Sequence, residues 1–238
     1  MGKMLLVIGD PGTGKSTAIG HNEQLGIQGL DPKSTFIIKP NNKTLPFPNS
    51  EVLYNEKNKN LLVTRDMSDV YSVIQNINAK AKHIKTVIVE DITHFFNHKE
   101  RVDAGRKDFD KWTEMATEVY RMTVGLEDEL RPDLDIIYIG HVEERRETNG
   151  NSITVLQTPG KMLERKIQLP SYFTYVLHST VVYEDGKPTY KFLTNNDGSG
   201  REAKSPYGAL ALLEDNDYGK IFDKIDTYHG KTSAKTEE

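Results

Sequence analysis

Short apolar runs alternate along this chain with polar segments that carry helical spacing. Met4-Leu5-Leu6-Val7-Ile8 is uninterrupted and stops at Gly9, the signature of a strand buried on both faces. Thr35-Phe36-Ile37-Ile38-Lys39, Thr86-Val87-Ile88-Val89 and Asp135-Ile136-Ile137-Tyr138-Ile139 repeat the pattern, and Leu61-Leu62-Val63-Thr64 is a shorter version. Between them, Val70, Val73, Ile74 and Ile77 fall on one face of a helix over 69–81. Trp112, Met115, Val119 and Met122 do the same for a long helix over 108–129. Pro40, Asn41, Asn42, Pro46 and Pro48 make the stretch after the second strand a loop. A helix is expected to start near Lys15 and fade near Gly20.

The last third reads differently. Residues 172–183 and 189–194 are β-rich and flank Glu184-Asp185-Gly186-Lys187-Pro188, where Asp-Gly signals a hairpin. A closing helix is expected over 216–229. Strands alternating with helices predict βαβ units and a mostly parallel sheet flanked by helices, with an antiparallel β extension. No internal repeat or linker interrupts the chain. The expectation is one α/β domain over 1–229 and a disordered tail over 230–238.

Composition narrows the classes. The chain has 238 residues, 36% apolar and 28% charged, which suffices for a full core. It has no cysteine, so a disulfide framework and a zinc-thiolate site are excluded. The apolar run at the start is too short for a signal peptide or a membrane span, which predicts a cytoplasmic protein without a membrane partner. The formal net charge of -4 means that any nucleic-acid contact must come from local basic segments or from many subunits in a row.

The chemistry begins where the first strand ends. Gly9-Asp10-Pro11-Gly12-Thr13-Gly14-Lys15-Ser16 has the spacing of a phosphate-binding loop. Glycines let successive backbone N–H groups converge on phosphate oxygens. Lys15 reaches the β- and γ-phosphates, and the Ser16 hydroxyl ligates Mg²⁺. Gly9 through Thr17 are therefore the candidate nucleotide-binding residues. Such a loop needs an acid at the C-terminal end of another strand, because that edge borders the ligand crevice. Glu90 and Asp91 supply two: one holds the Mg²⁺ shell and the other orients the attacking water, in an order that the residues alone leave open. His141, after the fourth strand, sits at the same edge and is a candidate sensor of the γ-phosphate. The guanine-reading pattern Asn-Lys-x-Asp is missing, since Asn41-Asn42-Lys43-Thr44 lacks the Asp, which favours ATP over GTP. Arg145-Arg146, among Glu143, Glu144 and Glu147, makes a poor kinase lid. A nucleotide kinase is thus a lesser alternative, beside a non-hydrolysing binding module switched by ATP.

The order of these and further motifs resembles the RecA-like P-loop ATPases encoded by bacteriophages, AAA-type nucleotide-binding proteins related to single-strand annealing and recombination ATPases. The similarity runs from Gly12-Thr13-Gly14-Lys15-Ser16-Thr17 through Leu30-Asp31-Pro32, Lys43-Thr44-Leu45-Pro46-Phe47, Val89-Glu90-Asp91, Asp108-Phe109-Asp110-Lys111-Trp112 and Gly140-His141-Val142-Glu143. It continues in Pro159-Gly160-Lys161-Met162-Leu163, Ala203-Lys204-Ser205-Pro206 and Asn216-Asp217. The acidic pair departs from the Asp-Asp common in relatives. Ile38-Lys39-Pro40 lacks the catalytic glutamate that RecA proper places after its second strand. The resemblance implies Mg²⁺-dependent ATP hydrolysis in phage DNA recombination, annealing or replication, within the host cytoplasm. It also implies a homo-oligomeric ring or filament in which Lys204, with Arg201 second, completes the neighbour's site. Residues 98–107 and 143–150, read as loops, occupy positions that such proteins use for single-stranded DNA.

Overall fold

The computed structural model describes residues 2–108, 110–147, 150–158 and 168–231. Phe109, Thr148, Asn149, the Pro159–Leu163 feature and the tail from residue 232 lie outside the described residues. The apolar runs form β1 (Met4–Gly9), β2 (Thr35–Lys39), β3 (Leu61–Val63), β4 (Thr86–Val89) and β5 (Asp135–Arg146). They are followed by β6 (Ser152–Leu156), β7 (Tyr175–Glu184), β8 (Lys187–Leu193) and β9 (Leu213–Asp215). The helices are α1 (Ser50–Leu53), α2 (Met67–Lys80), α3 (Ile92–Val102), α4 (Asp110–Met122) and α5 (Tyr218–Tyr228).

The nine strands form one sheet in the order β3-β2-β4-β5-β1-β7-β8-β9, with β6 beside β5. Every pairing from β3 to β7 is parallel. The β7–β8, β8–β9 and β5–β6 pairings are antiparallel. β1 is covered on both faces, as its uninterrupted apolar sequence requires. Leu6 and Ile8 face a core shared with α2, α3 and α4, while Leu5 and Val7 face one built with Ala18, Ile19 and α5. The expected hairpin is present, and its Asp185-Gly186 turn has both residues at positive φ (51° and 76°). Among the described residues no helix is long and apolar enough to cross a membrane.

Four expectations are corrected. After the phosphate loop there is no α-helix before β2, only short 3-10 turns over Thr17–Ile19 and Glu23–Leu25. The chain is extended at Gly20 (φ -109°, ψ 156°), which packs so closely on the Phe47 ring that a Cβ there would lie 2.1 Å from it. The long helix ends at Met122, not 129. The Thr123 hydroxyl donates back to the Val119 carbonyl at 2.6 Å and the Tyr138 hydroxyl donates to the Met122 carbonyl at 2.7 Å. The Val119 carbonyl still accepts from the Thr123 N–H. The Tyr138 hydroxyl, however, takes the Met122 carbonyl that a continuing helix would offer to the Leu126 N–H, which bonds to the Thr123 carbonyl instead. A 3-10 stretch over Val124–Glu129 follows. The fourth strand runs on through His141 to Arg146, because β6 pairs with its charged half. Residues 143–146 are therefore strand rather than loop, and residues 98–102 belong to α3.

Candidate functional site

The carboxyl ends of β1 and β4 meet the middle of β5, at Gly140-His141, along one edge. Gly9 is the register partner of His141 across β1 and β5, and β5 alone separates β1 from β4. The loop after β1 therefore lies beside His141, with Glu90 and Asp91 one strand further on. The Ser16 hydroxyl donates a short hydrogen bond to Glu90 Oε1, joining residues 74 apart in the chain. Glu90 Oε2 is sealed from solvent and has no protein partner. Burial pushes the Glu90 carboxyl up to about 7, with the Asp91 charge adding to it and the Ser16 hydrogen bond, Lys15 and His141 opposing.

Asp91 stands at the start of α3 with left-handed backbone (φ 56°, ψ 56°). Its Oδ1 accepts a 2.8 Å hydrogen bond from the Thr93 hydroxyl and lies 3.6 Å from His141 Nε2. Burial alone would raise this carboxyl. The nearby His141 imidazole and the Thr93 hydrogen bond, with His94 adding to them, outweigh it, so Asp91 sits below the ordinary aspartate range. His141 Nδ1 is buried without a hydrogen-bond partner.

Lys15 is buried and folds back over its own loop, donating to the carbonyls of Gly9 (2.7 Å) and Asp10 (2.8 Å). Burial pulls its ammonium down from the usual lysine range against the attraction of Glu90, Asp10 and Asp91. With no α-helix behind the loop, its anion-binding capacity rests on the loop amides, Lys15 and Ser16 rather than on a helix dipole.

The last third of the chain supports the loop from behind. The Ser179 hydroxyl on β7 donates to the Thr13 carbonyl at 2.5 Å. Asn216 Nδ2 donates to the Gly14 carbonyl at 3.2 Å, and the Tyr218 hydroxyl donates to the Lys15 carbonyl at 2.8 Å. Gly14 (φ +94°) has no room for a side chain, since a Cβ would lie 2.6 Å from Asn216 Nδ2 and 2.8 Å from Tyr190 Cγ. Asp217 caps α5 through the amides of Gly219 and Lys220, and also accepts from those of Gln28 and Gly29. Of these supports, sequence reasoning singled out only Asn216-Asp217, and as a motif without a role. Lys39 was also missed as a site neighbour. It closes β2, and its Nζ donates to the Lys43 carbonyl at 2.6 Å. Burial lowers its ammonium, against Glu90 and Glu51.

A cavity of about 330 Å³ opens at this edge. It is lined by Lys15, Ser16, Glu90, Asp91 and His141, by the loop from Pro11 to Thr17, and by Pro46 and Tyr190. Among the described residues no group of three or more acidic or histidine side chains could cage a metal ion alone. A Ser hydroxyl and a carboxylate meeting at one point are instead the donor set that Mg²⁺ takes together with substrate phosphates and water.

The other candidates lie apart from this cavity. Arg201 donates to Ser199, Thr180 and Asp197. Lys204 pairs with Val176 through its backbone and donates from Nζ to the Ser171 carbonyl at 3.0 Å. In the 98–107 segment, Lys99 pairs with Asp103 and Glu118, and Arg106 pairs with Asp103, Asp108 and Glu114. In the 143–150 segment, Arg145 pairs with Glu143. A family model described as an AAA domain matches residues 1–207. No curated protein matches the chain.

Proposed function

The chain belongs to the AAA domain family, and on that footing we propose that it is a Mg²⁺-dependent ATPase whose turnover serves DNA recombination, single-strand annealing or replication. The observation that carries the reading is the hydrogen bond between Ser16 and Glu90, which brings the two metal-side donors together across the sheet. The loop amides and Lys15 hold the phosphates, with Lys15 exchanging the Gly9 and Asp10 carbonyls for phosphate oxygens. Ser16 and Glu90 would hold Mg²⁺, which would supply positive charge against the phosphate oxygens. Asp91, whose carboxyl lies below the ordinary range, stays ionised and accepts a hydrogen bond from the attacking water. The water oxygen bonds to the γ-phosphorus as the bond to the ADP oxygen breaks. His141, 3.6 Å from Asp91, links that carboxylate to the presence of the γ-phosphate.

The DNA role rests on the order of motifs along the chain, and so does a homo-oligomer in which Lys204 or Arg201 reaches a neighbouring site. The test is phosphate release by the full chain, with Mg²⁺ or with EDTA, over a range of protein concentrations and with or without single-stranded oligonucleotide. Turnover that needs Mg²⁺ and rises with concentration and with DNA supports the whole reading. Indifference to DNA removes the nucleic-acid role. The way in which Lys15 is satisfied by its own loop favours a second reading, an ATP-switched binding module. ATP binding without turnover under every condition would select it.

A further inference from the structure

We propose that the groove between α3 and α4 holds one base of single-stranded DNA against Trp112. The inference rests on the nucleic-acid role proposed above and names the place and the side chain through which a strand is held.

Two stripes of side chains make the groove. Asn97, Glu100, Arg101 and Ala104 follow one another at helical spacing along α3 and the 3-10 turn after it (Asp103–Gly105). Trp112 and Met115 line it from the first turns of α4. The cavity between them has a volume of about 510 Å³, within the usual range of small-ligand sites. Trp112 is the only tryptophan of the chain. It is half-buried and packs on the core shared by α2, α3 and α4, so the ring is held in place without a ligand. Lys111 Nζ stands 5.3 Å from the ring centroid and donates to the Arg106 carbonyl at 2.8 Å. Asp103 also lines the cavity, but it is buried and ion-paired with Lys99 (3.5 Å) and Arg106 (3.7 Å), so its charge is already met.

The exposed polar groups are free. Among the described residues the side chains of Asn97, Glu100 and Arg101 have no hydrogen-bond or ion-pair partner. An amide, a carboxylate and a guanidinium around one aromatic ring supply a stacking face and the donors and acceptors that a base edge takes. A partner helix would need apolar anchors along the groove, and here Met115 is buried and Ala104 is short. The lining charges, Glu100 and Asp103 against Arg101 and Lys111, cancel. The groove therefore suits a base rather than a run of phosphates, and stacking carries most of its contribution. α3 starts next to Asp91, and Asn97 lies about 9 Å along it at roughly 1.5 Å per residue. A base in the groove thus rests on the helix that begins at the acidic pair.

The experiment titrates the full chain with oligothymidylate, with an abasic strand of equal length and with dTMP, following Trp112 emission together with the anisotropy of labelled strands. Oligothymidylate is expected to quench Trp112 emission saturably, with the same midpoint as the anisotropy change. Trp112→Phe should bind it within about three-fold of wild type, and Trp112→Ala about ten-fold more weakly with an unchanged dependence on salt. Wild type should bind the abasic strand as weakly as Trp112→Ala binds oligothymidylate, and without quenching. Equal wild-type affinity for the two strands, or binding that leaves Trp112 emission unchanged, overturns the groove assignment while the nucleic-acid role stands, and neither result depends on a variant folding. Quenching by dTMP at the strand's own midpoint would make the ligand a free nucleotide and overturn the assignment to DNA. No binding of either strand at low salt removes the nucleic-acid role, and this inference with it.

Discussion

Glu90→Gln should make the free protein more stable while abolishing its turnover. In the folded chain the carboxyl titrates at about 7, against an ordinary 4.5, chiefly because burial disfavours its charge. The difference of about 2.5 units, at 1.36 kcal/mol each, is roughly 3 kcal/mol. The sign follows from proton counting. Between pH 4.5 and 7 the folded state binds more protons at this position than the unfolded state does, so stability falls as pH rises through that window. Glutamine has nearly the same shape, keeps an oxygen to accept from Ser16, and does not titrate. Urea denaturation of both proteins across this pH range isolates the effect, because titrating groups distant from Glu90 cancel in the difference. The variant's advantage should grow from near zero at about pH 4.5 to about 3 kcal/mol at about pH 8. A difference that does not change with pH, or a variant less stable at pH 8, would refute the placement of an ionisable carboxyl in this environment.

His178 gives the opposite pH dependence. Burial, with the Arg201 charge adding to it, holds its imidazole down to about 4 from 6.5. It therefore contributes stability that is lost as pH falls through that window, about 3 kcal/mol in all. The acid limb of the wild-type stability profile should flatten in His178→Gln. Tyr218→Phe leaves the Lys15 carbonyl without its donor in a fully buried setting, and denaturant melts should show a loss of about 1–3 kcal/mol. ATP titration of the same variant should show weaker binding, and unchanged affinity would mean that α5 does not set the loop geometry. Gly14→Ala combines a left-handed φ with a Cβ pressed against Asn216 and Tyr190, so about 3 kcal/mol of stability and the nucleotide affinity should go together.

The apolar runs carried most of the fold. Strands such as β1 and β4 are buried on both faces, and nothing else gives an uninterrupted run of that length. The charged half of β5 was not legible, because Glu143–Arg146 is half-exposed and is held in a ladder by β6 rather than by burial. α3 was hidden for a related reason. Phe95 and Phe96 anchor it, but His98 to Arg101 on its second half look like a solvated loop. At the site, the loop, Glu90, Asp91 and His141 were legible, since each stands where an apolar run stops. The supports behind the loop were not. Ser179, Asn216 and Tyr218 reach it across 166, 202 and 203 residues, and no local pattern encodes a hydrogen bond of that range. The missing helix after Lys15 reflects a tertiary override, in which Phe47 pins Gly20 in an extended conformation.

The central claim is that Lys15, Ser16 and Glu90 form one Mg²⁺-dependent ATP site. Its most direct test is steady-state phosphate release with Mg²⁺-ATP by wild type and Lys15→Ala, each shown by denaturant melt to be folded at the assay temperature. The account predicts Mg²⁺-dependent turnover in wild type and at least a hundred-fold less, about 2.7 kcal/mol or more in barrier, in the variant. Equal turnover by the two folded proteins would contradict it.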